Sequence, residues 1–179
     1  AGVGCFVDSC GECRECKRGL EQFCLVRDPV PNLLKDSRNF RGGYSNRIVV
    51  PERNAIKIPA GAELSRVAPL LCAGITVWSP IHFSKVKKGD TVGVAGFGGL
   101  GHMAVKYLAD LGAKVTVFDI TEEKRDDALR MGAERYVNMK QPEAAGGLAG
   151  SFDFIISTIP SDYRLTDYAK LLKYGAGEL

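Results

Sequence analysis

The sequence contains no apolar run of about 18 residues, the length that a helix needs to cross a bilayer, so we expect no membrane span. Its charges nearly balance, because 24 Lys and Arg face 21 Asp and Glu, and this argues against a nucleic-acid partner. Histidine is scarce: His82 and His102 are the only two, so the chain carries no local His–Glu pair for a metal. The composition, 45% hydrophobic and 25% charged, is that of an ordinary globular protein.

Four of the six cysteines fall within a short segment, spaced as Cys10-x2-Cys13-x2-Cys16-x7-Cys24. Zinc takes four soft ligands in a tetrahedron at about 2.3 Å, and short loops between the ligands wrap the chain around the ion. Four protein thiolates leave no open position, so the spacing predicts a structural zinc site rather than disulfides, and we expect a reducing, cytoplasmic compartment. An iron–sulfur cluster is the alternative, but ferredoxin-type runs place the fourth cysteine after three residues and follow it with proline.

From residue 91 onward, apolar strands alternate with helical patterns, which is typical of a parallel sheet covered by helices. Before it, residues 27–40 are rich in turn formers and predict a loop, and apolar residues between 64 and 72 recur at helical spacing. The fold class is therefore α/β. The sequence predicts strands at 47–50, 55–58, 91–95, 114–118, 135–139 and 152–157, and helices at 99–111, 122–131 and 163–173.

A glycine-rich turn follows the strand at 91–95 and opens the next helix, as the dinucleotide fingerprint G-x-G-x-x-G requires. Gly96 permits the tight turn, Gly98 lets the backbone approach a pyrophosphate, and Gly101 lets the helix pack on the strand. The helix N-terminus then offers free N–H groups to the phosphates. The predicted cofactor-binding residues of this turn are Gly96, Phe97, Gly98, Gly99, Leu100 and Gly101.

Asp119 ends the second strand of this alternation, 23 positions after Gly96. A carboxylate there can accept hydrogen bonds from the adenosine ribose and repels a 2′-phosphate, so we expect NAD to be favoured over NADP. Lys124 and Arg125 follow closely and are suited to a 2′-phosphate, which keeps NADP as the alternative. The other reading of Asp119 is that it only caps the following helix.

Cys72 stands in an apolar helical stretch, where a lone cysteine is more often a buried core thiol than a ligand. The order of motifs changes that expectation. The four-cysteine segment, GGYSNRIVVPE, PLLCAGITVWSP and GFGGLGHMAVKYLADLGAKVTVF together closely resemble the zinc-dependent medium-chain alcohol dehydrogenases, in particular their cinnamyl alcohol dehydrogenase-like branch.

The resemblance implies a part of a GroES-like, β-rich catalytic domain over residues 1–62, with the zinc lobe at 10–24, and an incomplete, doubly wound Rossmann domain over residues 63–179. It implies oxidation of primary alcohols or reduction of aldehydes with a nicotinamide cofactor and a second, catalytic zinc, for which Cys72 is a ligand. It places Thr76 near the nicotinamide and Thr158 in the cofactor groove. It assigns the adenosine ribose to the segment that contains Asp119, Ile120, Thr121 and Lys124.

The resemblance also implies ligands that this chain lacks, because the family's other catalytic zinc ligands, a cysteine and a His–Glu pair, come from an N-terminal segment. We therefore expect a fragment, inactive alone, of a protein that forms dimers or tetramers, with a small alcohol or aldehyde as substrate. The alternatives are a zinc-stabilised dinucleotide-binding module without activity, and a zinc-free quinone reductase of the same fold. The four-cysteine segment argues against the second of these.

Overall fold

A computed structural model describes residues 1–4, 9–24 and 47–179, which form two compact units, Ala1–Cys72 and Ala73–Leu179. The predicted loop at 27–40, Cys5 and the GGYSN portion of the second motif lie outside the described residues. The two units divide after Cys72, ten residues beyond the predicted domain boundary at 62. The assignment of a GroES-like and a Rossmann domain to either side of residue 62 stays a prediction.

In the first unit, a short strand β1 (Gly2–Val3) pairs antiparallel with β2 (Ala55–Ile56). The predicted strand at 47–50 is wrong: these residues have no regular secondary structure, and the strand predicted at 55–58 is two residues long. A strand requires a hydrogen-bonding neighbour, and within the described ranges residues 47–50 pair with none. The helices are α1 (Arg14–Lys17) and α2 (Leu64–Val67), with 3-10 turns at Glu21–Phe23, Glu52–Asn54 and Ala68–Leu71.

The helical pattern between 64 and 72 does not form one helix. α2 ends at Val67 and a 3-10 turn follows, because Pro69 has no N–H to continue the helical ladder. A new helix, α3 (Ala73–Phe83), begins after Cys72. No single helix among the described residues has the length and apolar character to cross a membrane; only the bent pair Leu64–Leu71 and Ala73–Phe83 meets that test together.

The second unit, which we call the sheet unit (Ala73–Leu179), confirms the predicted alternation. After α3 come β3 (Thr91–Ala95), α4 (Gly99–Asp110), β4 (Lys114–Asp119), α5 (Arg125–Arg130), β5 (Arg135–Asn138), β6 (Phe154–Ser157) and α6 (Thr166–Ala169), with a 3-10 turn at Pro142–Ala145. The predicted helices at 122–131 and 163–173 are both shorter in the structure, at six and four residues.

The four strands of the sheet unit are all parallel, in the order β5-β4-β3-β6. The chain moves outward from β3 to β5 on one side and then crosses back to β6 on the other. The crevice beside the carboxyl ends of β3 and β6 is therefore the point at which the strand order reverses, and ligands of open parallel sheets bind at such points.

Both faces of the sheet are buried, which explains why the strands are nearly continuous apolar runs. Val92, Val94, Val115 and Val117 face one side with residues of α3 and α4, and Phe118 and Ile155 face the other. Gly93 makes room for that second cluster, because a Cβ there would lie 2.9 Å from the Phe118 ring. This packing fixes the ends of β3, β4 and β6 around the glycine-rich turn.

Candidate functional site

The four clustered cysteines lie in what we call the lobe, residues 9–24. Cys13 precedes α1 and Cys16 lies inside it, while Cys24 follows the 3-10 turn Glu21–Phe23. The lobe is joined to residues further along the chain through Arg53, whose guanidinium donates to the carbonyl and hydroxyl of Ser9. The structure thus brings together all four residues that the spacing predicted.

All four cysteine Sγ atoms lie within 4.8 Å of one another, and those of Cys10 and Cys16 are 3.8 Å apart. A regular tetrahedron around zinc at about 2.3 Å has edges of roughly 3.8 Å, so the group suits one ion. A multi-iron cluster carries sulfide between its metals and holds its thiolates further apart. The chemistry and the spacing of these donors therefore fit zinc.

Backbone amides of the lobe point at its sulfur atoms. The N–H groups of Cys13 and Glu12 lie 3.2 and 3.4 Å from Cys10 Sγ, and the N–H of Cys10 lies 3.4 Å from Cys24 Sγ. Burial, together with hydrogen bonding to Cys13, raises the pKa of the Cys16 thiol to about 12. A bound cation reverses that balance because it binds the thiolate outright.

The glycine-rich turn leaves β3 at Ala95 and enters α4 at Gly99. Gly96 has a φ of +86°, a conformation that side chains rarely adopt. A Cβ on Gly101 would lie 2.0 Å from the Gly96 carbonyl oxygen, so the helix can approach the turn only with glycine there. Among the described residues, a Cβ on Gly98 or Gly99 would meet no neighbouring atom within 4 Å, which leaves open space over the turn.

The amino end of α4 faces that open space with unpaired donors. The first backbone bond of the helix runs from His102 N–H to the Gly98 carbonyl at 3.0 Å. The N–H groups of Gly99, Leu100 and Gly101 precede it and have no partner within the helix. A 12-residue helix with free amides and a partial positive charge at this end is suited to a phosphate group.

Asp119, at the end of β4, is almost fully buried, with 6% of its side chain exposed. One carboxylate oxygen accepts the Phe97 N–H at 2.7 Å, and the other accepts the Ile120 N–H at 2.6 Å. Burial acts to raise the pKa of Asp119, but these amides and the charge of Lys124 outweigh it and hold the pKa below its ordinary value. The carboxylate is therefore ionised at neutral pH, and it faces the glycine-rich turn.

The segment after Asp119 is supported by Tyr136, a residue that the sequence did not single out. The Tyr136 hydroxyl donates to the Thr121 carbonyl, and the Arg125 guanidinium lies 5.1 Å from the centre of the Tyr136 ring. Arg125 also pairs with Glu122, so its charge is already partly neutralised. Sequence patterns gave no signal for these contacts, because Tyr136 lies on the neighbouring strand β5.

A cavity of about 450 Å³ lies on the other side of the turn, beside β6. It is lined by Thr76 of α3, Leu100 of α4 and Thr158, all three of which were predicted to contact the cofactor. Tyr163 and Leu165 complete the wall on the far side and were missed, since they follow β6 in a segment without a motif.

Cys72 is exposed, which differs from the expectation of a buried core thiol for a lone cysteine in an apolar stretch. The reason is the break in the helical pattern, since Cys72 lies between the 3-10 turn and α3. Over the described ranges, the only group of three or more potential metal ligands is the four-cysteine group, and Cys72 is not part of it. The described residues therefore do not by themselves form a second metal site.

Comparison with known proteins gives a consistent result. Residues 99–179 match the family model described as zinc-binding dehydrogenase. The chain is 46% identical over 175 residues to NADP-dependent alcohol dehydrogenase C 1 of Mycolicibacterium smegmatis, covering 96% of this chain and 50% of that protein. The chain thus spans about half the length of this relative.

Solved structures agree. The crystal structure of CAD from Helicobacter pylori, complexed with NADP(H), has a TM-score of 0.85 and 50% sequence identity, over 99% of this chain and 50% of that chain. A cinnamyl alcohol dehydrogenase from Sorghum bicolor has a TM-score of 0.89 and 36% identity, over 99% of this chain and 52% of that chain.

Proposed function

We infer that the chain belongs to the zinc-type medium-chain alcohol dehydrogenases, in the cinnamyl alcohol dehydrogenase-like branch, and we propose that the whole protein interconverts primary alcohols and aldehydes by hydride transfer. A nicotinamide dinucleotide is the hydride carrier. The observation that carries this proposal is the contact of Gly101 with Gly96, since only this close approach gives the turn and the free helix amides the shape of a pyrophosphate site.

We propose that the lobe holds a structural zinc through Cys10, Cys13, Cys16 and Cys24. Four thiolates leave no ligand position for a substrate, so this metal contributes to folding and not to the reaction. Cys72 is proposed as one ligand of a catalytic zinc, which as a Lewis acid lowers the pKa of an alcohol when bound. The proposed catalytic site needs further ligands besides Cys72. The thiol of Cys72 is exposed and therefore accessible to a metal that those ligands share.

The cofactor is proposed to lie across the carboxyl end of the sheet. Its pyrophosphate binds the turn from Gly96 to Gly101, its nicotinamide enters the cavity lined by Thr76 and Thr158, and its adenosine lies beside Asp119. The apolar wall of that cavity, which includes Leu100 and Ile156, excludes water from the nicotinamide ring.

We further propose that the adenosine end favours NAD over NADP. Residues 119–127 carry five carboxylates against two cationic side chains, and Glu122 already neutralises Arg125. A 2′-phosphate would enter this negative field, next to the ionised Asp119. The Mycolicibacterium relative is NADP-dependent by name, but at 46% identity more than half of the aligned positions differ, and a few side chains determine this preference.

Dinucleotide titration of the chain tests the site. We expect NADH to bind with an affinity at least tenfold higher than NADPH. Gly98→Ala should abolish binding of both dinucleotides while the chain remains folded, because the new Cβ meets no atom of the described residues within 4 Å but enters the space for the phosphates. Gly147→Ala, also without neighbours, is the matched control and should bind normally. Tighter binding of NADPH would contradict the proposed preference.

The second candidate is a zinc-stabilised dinucleotide-binding module without activity, and it is favoured by the isolation of Cys72 from other ligands in the described residues. Measurement of alcohol oxidation distinguishes the enzyme from the inactive module. The full-length protein should oxidise a primary alcohol and contain two zinc ions, one of them lost in Cys72→Ser. One zinc in the full-length protein and no turnover would support the module. The dimer or tetramer that the resemblance implies can be checked by sedimentation of the same preparation.

A further inference from the structure

Two polar side chains from different strands meet on a single peptide unit, the one that joins Gly96 to Phe97. Its N–H group, on Phe97, donates to Asp119 Oδ2 at 2.7 Å. Its carbonyl, on Gly96, accepts the Thr158 hydroxyl at 2.9 Å, which is shorter than the 3.2 Å from the same hydroxyl to the Ala95 carbonyl. Asp119 ends β4 and Thr158 follows β6, so the two side chains reach this peptide from opposite sides of β3.

The backbone around this peptide contains two glycines. Gly96 and Gly98 stand on either side of Phe97, and glycine gives the backbone access to conformations that other residues avoid. Backbone hydrogen bonds hold the chain up to the Gly96 nitrogen. The Gly96 N–H donates to the Phe118 carbonyl at 2.7 Å, and the Ala95 carbonyl accepts the Thr158 N–H at 2.7 Å. Beyond the Gly96 nitrogen, the amides that face a pyrophosphate depend on how the Gly96–Phe97 plane is oriented.

The acceptor capacity of Asp119 is already used. A carboxylate offers about four lone-pair sites. Besides the Phe97 amide, Asp119 accepts from Ile120 N–H, from the N–H and hydroxyl of Thr121, and from Lys124 Nζ at 3.4 Å. A ribose hydroxyl would have to displace one of these donors. The carboxylate thus acts on the cofactor through its charge and through the turn.

We propose that Asp119 and Thr158 are positioning residues that clamp the Gly96–Phe97 peptide in the orientation that the pyrophosphate requires. This inference rests on the proposed binding of a dinucleotide. Neither side chain has to touch the phosphates for the clamp to act. Its effect is to remove, before binding, the conformational freedom that binding would otherwise have to remove.

Substitution of Thr158 tests the clamp at constant shape. Thr158→Val removes the hydroxyl and should weaken NADH and ADP-ribose by the same factor, roughly tenfold, because both ligands carry the pyrophosphate. Thr158→Ser keeps the hydroxyl and should bind within about twofold of the unchanged chain. Thr166→Val, an exposed threonine in α6, is the matched control and should have no effect. NADH affinity unchanged in Thr158→Val would overturn the proposal.

Hydrogen exchange in the ligand-free chain tests the clamp independently of any cofactor. In Asp119→Asn and in Thr158→Val, the Phe97 amide should exchange at least tenfold faster, while the Val94 amide in the buried strand β3 keeps its rate. Equal acceleration at both amides would indicate general destabilisation and would refute the clamp. If the unchanged chain binds no dinucleotide, the proposed function fails, and the ratio of the two exchange rates still decides the clamp.

Discussion

The lobe and the sheet unit differ in what lies inside them. In the lobe, the buried side chains are those of Ser9, Glu15, Cys16 and Cys24, and its one phenylalanine, Phe23, is 59% exposed. In the sheet unit, residues such as Phe118, Phe152 and Leu108 are buried completely or nearly so, on both faces of four strands. The lobe therefore has almost no apolar interior, whereas the sheet unit has a large one.

This difference indicates two sources of stability in one chain. Burial of a large apolar side chain contributes about 1.5–3 kcal/mol, and the sheet unit has many of them. The structural zinc proposed for the four cysteines would contribute roughly 10–16 kcal/mol of binding free energy at neutral pH, in place of the apolar core that the lobe lacks. The two regions should therefore respond to different perturbations.

Removal of the metal should have the largest effect, and only on the lobe. Chelation of zinc, or Cys16→Ser, should unfold residues 9–24 because roughly 10 kcal/mol or more of binding free energy is lost. Trypsin should then cut at Arg14, Lys17 and Arg18 much faster, while circular dichroism of the sheet unit persists. Cys72→Ser, outside the four-thiol group, is the control and should leave tryptic cleavage unchanged. Slow cleavage of the metal-free lobe would show that it folds without zinc.

A cavity in the apolar core of the sheet unit should have the next largest effect. Phe118→Ala removes a ring that contacts Phe152 and Tyr168 at centroid distances of 5.5 and 5.8 Å. We expect a loss of about 3–5 kcal/mol in the unfolding free energy of the sheet unit, measured by urea denaturation, with zinc content unchanged. Tyr174→Ala, at a side chain that is 93% exposed, should change stability by less than about 0.5 kcal/mol. A loss of zinc in Phe118→Ala would mean that the two regions are not independent.

The smallest effect should come from an ion pair at the edge of the sheet unit. Asp153 accepts the Thr91 N–H at 2.9 Å and the Lys173 ammonium at 2.6 Å. Burial acts to raise its pKa, but Lys173 and the Thr91 amide hold it below the ordinary value of 3.8. Asp153→Asn should cost about 1 kcal/mol at pH 7.

The pH dependence of that cost has a definite sign. Because the folded-state pKa of Asp153 is depressed, its contribution is present above pH 3.8 and is lost as the pH falls through the folded-state value. We therefore expect the difference in unfolding free energy between the unchanged chain and Asp153→Asn, measured by denaturation from pH 7 downward, to shrink only in acid. A constant difference down to the lowest pH would contradict the role of the ionised carboxylate.

The regular part of the molecule followed from the sequence. The apolar runs at 91–95 and 114–118 are strands, and the helix between them begins at Gly99 as its glycine pattern requires. The spacing of the four cysteines predicted their grouping. In each case the information is local, because a strand buried on both faces, a helix start and a metal knuckle are each specified by residues within a few positions.

Non-local pairing decided the rest. Residues 47–50, three of which are apolar, are not a strand, because strand structure depends on a partner that the local sequence does not specify. Asp119 and Thr158 are 39 positions apart, yet they hold the two ends of one peptide because β4 and β6 lie on either side of β3. The sequence by itself indicated which residues form the proposed cofactor site, because the glycine pattern and the acidic residue after it are local signals. Only the order of the strands determined that Asp119, the carboxylate predicted to meet a ribose, also accepts a backbone amide of the glycine-rich turn.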